Sequence, residues 1–393
     1  MLCGLGYVAD SMWFGALPAI LPKVQQEFSL PDSIAGLGTT WTVIGMILGA
    51  IGFGFYASIY GRRSAFLITF IIATLFGLSA SFSPSFVVLC LALGFVGIGI
   101  GGNIPVDASL FLESIPSQKQ YLLTFLTIFW SIANVLSTFL AWILIPRFSC
   151  TESPCESVNN RGWRYLLVTL GLLSLVMLSI RLCMRRIFET PRFLVSRKRY
   201  RDAVLVLQTL AKQNNVQIDV TPEDLEIEHD SETAWSKFVG KLWLLVGPSM
   251  FRYELTSSPF RTSFFLWAVW FLSSLGLGIF GSFIIVFLQG SQQISVDETY
   301  RNYLIITMSA VPGTILAAYT VDSWLGRRGL MAISAMGTAA SLFLFARFPD
   351  PTGQLVASCV SQFLANILYF FVFNSWLGGA SCIHIRPKCI RLP

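Results

Sequence analysis

Long apolar runs recur along this 393-residue chain, and they restrict its possible folds more than any other feature. Each run holds about 20 residues with few charges, which is the length that crosses a bilayer as an α-helix. Charged residues make up only 12% of the chain, whereas soluble domains carry about 25%. The sequence therefore predicts an all-α membrane protein. Ten spanning helices are predicted, at about 1–21, 34–56, 66–82, 86–108, 121–145, 163–184, 264–288, 303–321, 330–346 and 354–377.

Two Gly-Arg-Arg triplets, Gly61–Arg63 and Gly326–Arg328, each occupy a short gap between two apolar runs. Arginine pairs cannot remain in hydrocarbon and glycine interrupts helices, so each triplet is predicted to fix a tight hairpin at one membrane face. The repetition indicates two related halves in parallel orientation, an arrangement typical of secondary transporters. Glycines are also frequent in the spans at 34–56 and 86–108, where they would let two helix backbones approach closely.

The polar segments divide the chain into four predicted parts. Residues 1–184 would form an N-terminal bundle of six helices, and residues 185–261 a cytoplasmic linker that contains an amphipathic helix. Residues 262–377 would form an incomplete C-terminal bundle of about four helices, and residues 378–393 an atypical tail.

Basic residues predict the orientation of the chain. Both triplets and the stretch 185–201 fall on the same side, and the positive-inside rule makes that side cytoplasmic, together with the N-terminus and the linker. Cys150 and Cys155 then lie outside the cytoplasm, where the pair either forms a disulfide or stays reduced. The plasma membrane is favoured over an internal membrane.

Polar side chains inside the spans are the candidate functional residues. A carboxylate in the membrane costs at least a few kcal/mol, which makes Asp10 and Asp107 plausible proton carriers. Alternatively, each faces a water-filled cavity or caps broken backbone near Pro105. Four asparagines could hydrogen-bond to a substrate or simply join helices, namely Asn103, Asn134, Asn366 and Asn374. The predicted substrate and proton pathway comprises Asp10, Asn103, Asp107, Asn134 and Asn366.

Catalytic and metal-binding patterns are missing from the sequence. It contains no Ser-His-Asp or Cys-His grouping, no Walker loop and no cluster of metal ligands. An enzyme is therefore not predicted, and neither a cofactor nor a metal is expected. The net charge of +6 sits in loops, so it reports on membrane topology rather than on binding to nucleic acid.

Several motifs, taken in their order along the chain, resemble those of the major facilitator superfamily, and the resemblance covers nearly the whole chain to Leu377. They are the two triplets, the glycine run Gly97–Gly102 and the segment Phe188–Leu194 after the sixth predicted span. Within the last of these, Glu-Thr-Pro-Arg is similar to the sugar-porter branch. The stretch Asn103–Asp107 is closer to synaptic-vesicle-transporter-like and organic-ion relatives.

The resemblance implies a two-bundle helical transporter that rocks about a central site and exposes it to each membrane face in turn. The expected partners are the lipid bilayer and a small organic solute, namely a sugar, an organic acid or an organic ion. Coupling to protons is left open. A monomer is the expected state, and neither a cofactor nor nucleic acid is involved.

The resemblance also implies an inner gate made of ion pairs at the cytoplasmic face. Arg62 and Arg63 would pair near Glu113, while Asp322 holds the position of the loop acid before the second triplet. Glu189 and Arg192 would join the second triplet. The implied gate residues are Arg62, Arg63, Glu113, Glu189, Arg192, Asp322, Arg327 and Arg328.

Three departures from the family pattern weaken these expectations. Ser58 stands where a loop acid is usual before the first triplet, and Leu93 replaces the arginine that usually opens the fourth helix. The second change weakens the analogy for proton coupling. After Leu377 the tail looks like a retained intron or a frameshift, so the eleventh and twelfth helices are expected to be missing.

Two alternatives to transport therefore stay open. One is a transporter-derived sensor whose linker signals, which would show saturable binding without flux. The other is a truncated product that folds poorly. Transport predicts instead that Asp107→Asn abolishes accumulation without abolishing membrane insertion.

Overall fold

The computed structural model describes residues 2–114, 122–150, 160–183, 189–213, 220–225, 258–292, 295–320, 326–348 and 350–383. These ranges are helical and contain no strand, which confirms the all-α fold. The first half contains α1 (Leu2–Glu27), α2 (Asp32–Ala35), α3 (Leu37–Tyr60), α4 (Arg62–Ala80), α5 (Phe86–Ser114), α6 (Leu122–Phe148) and α7 (Gly162–Cys183). Next come α8 (Pro191–Ser196), α9 (Tyr200–Gln213) and a 3₁₀ turn (Glu223–Leu225), then α10 (Ser258–Gln292), α11 (Val296–Met308), α12 (Ala310–Thr320), α13 (Gly326–Arg347) and α14 (Pro351–Ile383).

Nine helical stretches within these ranges are long and apolar enough to cross a membrane, and they match nine of the ten predicted spans. The remaining one, which is the first predicted span, forms α1, which is long enough at 26 residues. It is not among the nine because Asp10 and two prolines lower its average hydropathy.

The eighth predicted span differs most from its prediction, because it begins earlier and is broken in the middle. It begins at Val296, where the Ser295 hydroxyl accepts a hydrogen bond from the Glu298 backbone N–H at 3.2 Å and so caps α11. The break follows Met308, since Pro312 lacks an N–H and its ring crowds the carbonyl four residues earlier.

The chain forms two compact units, and each contains several separate segments. Unit 1 consists of Met1–Trp13, Phe28–Leu123 and Arg164–Lys241. Unit 2 consists of Phe14–Glu27, Thr124–Trp163 and Leu242–Pro393. The division at residues 184, 261 and 377 that the sequence suggested stays a prediction.

In unit 1, α3 and α5 pack backbone against backbone, as their glycines predicted. A Cβ atom at Gly45 would overlap the carbonyl of Gly94, and one at Gly97 would overlap the carbonyl of Thr42. Small residues permit this approach in lipid, where dispersion contacts rather than the hydrophobic effect hold helices together.

We expect Gly45→Ala to lower the free energy of unfolding by about 1–3 kcal/mol, because the added methyl group forces α3 away from α5. Thermal unfolding of the purified protein in detergent measures this loss. Gly52 and Gly54 on the same helix are matched controls, since a Cβ at either meets nothing within 4 Å. Alanine at these two positions should be neutral or stabilise by up to about 1 kcal/mol. Equal effects at all three glycines would contradict close α3–α5 packing.

Candidate functional site

A cluster of polar and charged side chains is buried in unit 1 between α1, α4, α5 and α7. Asn103 and Asp107 lie four residues apart on α5 and therefore project from the same face of the helix. The Asn103 amide Nδ2 donates to Asp10 Oδ2 at 2.8 Å and to Asp107 Oδ2 at 3.3 Å. Three of the five predicted pathway residues are thus brought together, and all three are buried.

Arg181 of α7 completes the cluster, although the sequence analysis did not single it out. Its Nη2 atom lies 3.2 Å from Asp107 Oδ2, and neither side chain is exposed to solvent. Its Nη1 atom donates to the Phe66 carbonyl at 3.1 Å and to Asn103 Oδ1 at 3.4 Å. Asp107 thus pairs with a buried cation instead of capping broken backbone at Pro105.

Aromatic rings hold the Arg181 guanidinium in place. Its Cζ atom lies 3.7 Å from the ring centroid of Phe66 and 4.1 Å from that of Phe70. Such contacts attract a cation, and most strongly where water is excluded. Gly6 of α1 closes the other side, because a Cβ there would overlap both Asp107 Oδ2 and Arg181 Nη2.

The cluster contains one more acidic group than basic groups. Arg181 pairs with Asp107, whereas Asp10 receives a hydrogen bond from a neutral amide. Asp107 Oδ1 and Arg181 Nε are enclosed and have no hydrogen-bond partner within the described ranges. Burying an uncompensated carboxylate is costly, so this arrangement is suited to holding one proton or one small cation.

The other two predicted pathway residues belong to unit 2. Asn134 Oδ1 is enclosed without a hydrogen-bond partner in the described part of the chain, and a Cβ at Gly15 would overlap it. The Asn366 amide donates to the Gln362 carbonyl of its own helix at 2.8 Å. Across the same described residues, no group of three or more His, Cys, Asp or Glu could hold a metal ion.

The first Gly-Arg-Arg triplet forms the predicted hairpin between α3 and α4. Gly61 has a φ of +106°, which lets the chain leave α3 and begin α4 at the next residue. Both carboxylate oxygens of Glu189 accept from the Arg63 backbone N–H at 3.2 Å. A negative charge at this helix N-terminus complements the helix dipole.

Arg197 binds the other side of this hairpin, at the C-terminal end of α3. Its guanidinium donates to the carbonyls of Ser58 and Ile59, in the last turn of α3. The Phe193 ring lies 5.6 Å from the guanidinium carbons of both Arg62 and Arg197. The segment after the sixth predicted span thus places an acid at one helix end and a base at the other.

Several predicted gate and disulfide positions lie outside the described residues. They are Asp322, Cys155 and the side chains of Glu113, Arg192, Arg327 and Arg328. Their predicted pairings, including that of Glu189 and Arg192 with the second triplet, stay predictions. Cys150 is disulfide-bonded, and its carbonyl accepts a hydrogen bond from Lys23 Nζ at 2.8 Å. Its pairing with Cys155 also stays a prediction.

The two triplets offer a test of the hairpin geometry. Gly61→Asn is expected to lower the free energy of unfolding by about 1–3 kcal/mol, since a φ of +106° suits only glycine. The side chain would also overlap Glu189. Gly326 has a φ of +63° and open space around it, so Gly326→Asn should cost less than about 1 kcal/mol because asparagine tolerates this left-handed conformation. Thermal unfolding compares the two variants, and a larger loss at Gly326 would contradict the geometry.

Together, the membrane-spanning helices and the charge cluster buried among them define a multi-pass membrane protein with a polar interior. The Major Facilitator Superfamily matches residues 3–381, and the chain belongs to this family.

Relatives of known name support this membership. The chain is 35% identical to "MFS siderochrome iron transporter 1" of Ceriporiopsis subvermispora, over 94% of this chain and 73% of the relative. It is 32% identical to "Major facilitator-type transporter hxnZ" of Emericella nidulans, over 93% of this chain and 69% of that relative. Among solved structures, the partially occluded inward-open xylose transporter XylE from E. coli gives a TM-score of 0.70 at 18% identity. That match covers 97% of this chain and 86% of XylE, and it bears on the fold alone.

Proposed function

We propose that this chain moves a small organic solute across a membrane by alternating access, and that a proton bound in the Asp10 cluster drives accumulation of the solute. Membership of the family supports transport of a small solute. The observation that supports proton coupling is the buried excess of one carboxylate, with Arg181 committed to Asp107 and Asp10 bonded to an amide.

The excess charge supplies a physical reason for coupling. With a proton on Asp10 the cluster is neutral, and it can stay enclosed at low cost. Without that proton the cluster carries one uncompensated negative charge, which requires water or a cation nearby. If water reaches Asp10 from a different membrane face in each transport state, the proton crosses the membrane with the conformational change.

The substrate class is proposed as a sugar, an organic acid or an organic ion. We also propose the orientation that the basic residues predict, with the N-terminus and the linker in the cytoplasm, and a monomer in the plasma membrane. A sensor that binds without transporting, and an inactive product, are not favoured because the relatives and the fold are those of transporters.

Uptake into liposomes tests this proposal. The purified protein is reconstituted with the outside medium more acidic than the lumen. The probes are labelled xylose, gluconate and tetraethylammonium, one for each candidate class. We expect saturable accumulation of one probe above its outside concentration, and a protonophore should return it to equilibrium. Saturable uptake that only equilibrates would refute proton coupling, and no saturable uptake of any probe would refute transport of these classes.

A further inference from the structure

The helices α4 and α7 of unit 1 run antiparallel, and two contacts fix their register. At one end of the pair, Arg181 of α7 donates to the carbonyl of Phe66 of α4 at 3.1 Å. Further along, Gly171 of α7 packs against Leu78 of α4, because a Cβ there would overlap the leucine side chain. Residues that lie between these two contacts on one helix are therefore at the same level along the bundle as residues between them on the other.

This register places two buried hydroxyl groups at the same level. They belong to Thr74 of α4, 3% exposed, and Ser174 of α7, 1% exposed. Helical hydroxyls usually donate to a carbonyl of the preceding turn, as Thr69 Oγ1 does to Ala65 at 2.9 Å. The hydroxyls of Thr74 and Ser174 have no such bond, and no other partner within the ranges that the structure describes.

Trp13 of α1 adds a third enclosed group. It is 2% exposed, and its indole Nε1 also lacks a hydrogen-bond partner among the described residues. A Cβ at Gly77 would overlap the Trp13 ring, so the indole lies within one helical turn of Thr74 along α4. Three helices thus each bring one buried, unpaired polar group to the same region of unit 1.

Polar groups connect this region to the charge cluster, and a further polar contact marks the other end of α7. Toward the charge cluster, Asp10 precedes Trp13 by about one turn of α1. Thr69 precedes Thr74 by about 7.5 Å of helix rise, and its hydroxyl lies 3.4 Å from Asn103 Oδ1. At the opposite end, Arg164 Nη1 donates to the Ser83 carbonyl at 3.0 Å.

We propose that Trp13, Thr74 and Ser174, here called the polar file, bind ordered water and deliver protons to Asp10 from the Arg164 end of unit 1. The predicted topology places that end outside the cytoplasm. Buried polar groups without protein partners are normally satisfied by ordered water. The role as a proton route rests on the proton coupling proposed above.

The groups around Asp10 favour this direction. Asp107 of α5 and Arg181 of α7 interact electrostatically with Asp10. The Tyr7 hydroxyl of α1 interacts electrostatically with both Asp10 and Asp107. On the side that the predicted topology makes cytoplasmic, the Arg181 guanidinium lies against the rings of Phe66 and Phe70, and its fixed positive charge near Asp10 repels an approaching proton. Arg164 is also positively charged, but it lies about 15 Å of helix rise beyond Ser174, so it repels a proton near Asp10 more weakly. The polar file contains no charge.

Radiolytic hydroxyl-radical labelling tests the bound water, because radicals form from water next to the oxidised side chain. We expect Trp13 to be oxidised several-fold faster than Trp163. Trp163 is a matched control, since it is also buried but its Nε1 donates to Glu27 Oε2 at 2.6 Å. Thr74→Val combined with Ser174→Ala should remove the difference. Equal labelling of the two tryptophans in the unaltered protein would overturn the proposal.

A pH jump followed by infrared spectroscopy tests the proton route. The signal is the carboxyl band that disappears in Asp10→Asn. Thr74→Val with Ser174→Ala is expected to slow its appearance by roughly tenfold without changing its final amplitude, since water loses its anchoring hydroxyls. Thr169→Val is the control and should leave the rate unchanged, because the Thr169 hydroxyl already donates to the Tyr165 carbonyl at 2.8 Å.

An unchanged rate in the double variant would overturn the route, even if Trp13 is labelled. Neither measurement needs a transported solute. The labelling and the infrared experiment can both give the expected results while liposome uptake shows no proton dependence. In that case the proposed coupling is refuted, and the proposal that the polar file binds water and conducts protons to Asp10 stands.

Discussion

Asp10→Asn is expected to abolish proton-driven accumulation of the solute and to leave solute exchange intact. Asparagine cannot carry a proton, but its side-chain oxygen can still accept the hydrogen bond that Asn103 now donates to Asp10 at 2.8 Å. The local packing should therefore survive. Accumulation in liposomes under a proton gradient measures the first property, and counterflow of labelled solute without a gradient measures the second.

Two further variants make this result specific. Asp297→Asn removes an exposed carboxylate from the first turn of α11 and should accumulate solute normally. Asp107→Asn leaves the buried Arg181 without its carboxylate, so both transport and stability should fall. Normal accumulation by Asp10→Asn would show that Asp10 is not the proton site.

Much of this site could be predicted because a charge within an apolar run is conspicuous. Asp10 and Asp107 each lie in a predicted span, where a carboxylate is too costly to be retained without a partner or a role. The spacing of Asn103 and Asp107 also places them on one helix face. The spans themselves follow from the lengths of the apolar runs.

The partners of these residues could not be predicted in the same way. Arg181 lies near the end of the sixth predicted span, where an arginine can extend its charge to the membrane surface. Its pairing with Asp107 joins positions 74 residues apart and depends on how α5 packs against α7. A rule that every intramembrane arginine needs a buried acid would have selected it.

Glu189 shows how far a motif can be interpreted from sequence. The family resemblance predicts an ion pair for it at the second triplet. The structure shows its carboxylate on the backbone N–H of Arg63, in the first triplet. Backbone groups look the same in every sequence, so a motif names a charged residue more readily than it names a backbone partner.

Arg181→Met is expected to lower the free energy of unfolding by about 3–5 kcal/mol, because it leaves a buried carboxylate without its cation. Thermal and denaturant unfolding in detergent measure the loss. The matched control is Arg301→Met, which removes a second Arg–carboxylate pair whose side chains are 52% and 44% exposed. Such an exposed pair is worth at most about 1 kcal/mol, so this control should unfold almost normally.

A double variant separates the ion pair from general packing at the site. Asp107→Leu with Arg181→Met removes both charges and leaves apolar side chains beside Phe66 and Phe70. Buried ion pairs can often be exchanged for apolar residues at little cost, so the double variant should recover most of the stability lost by Arg181→Met. Asp107→Leu alone completes the cycle. If the loss in the double variant equals the sum of the losses in the two single variants, the residues do not interact. In that case the charge balance of the cluster would have to be assigned differently, and with it the reason for placing the proton on Asp10.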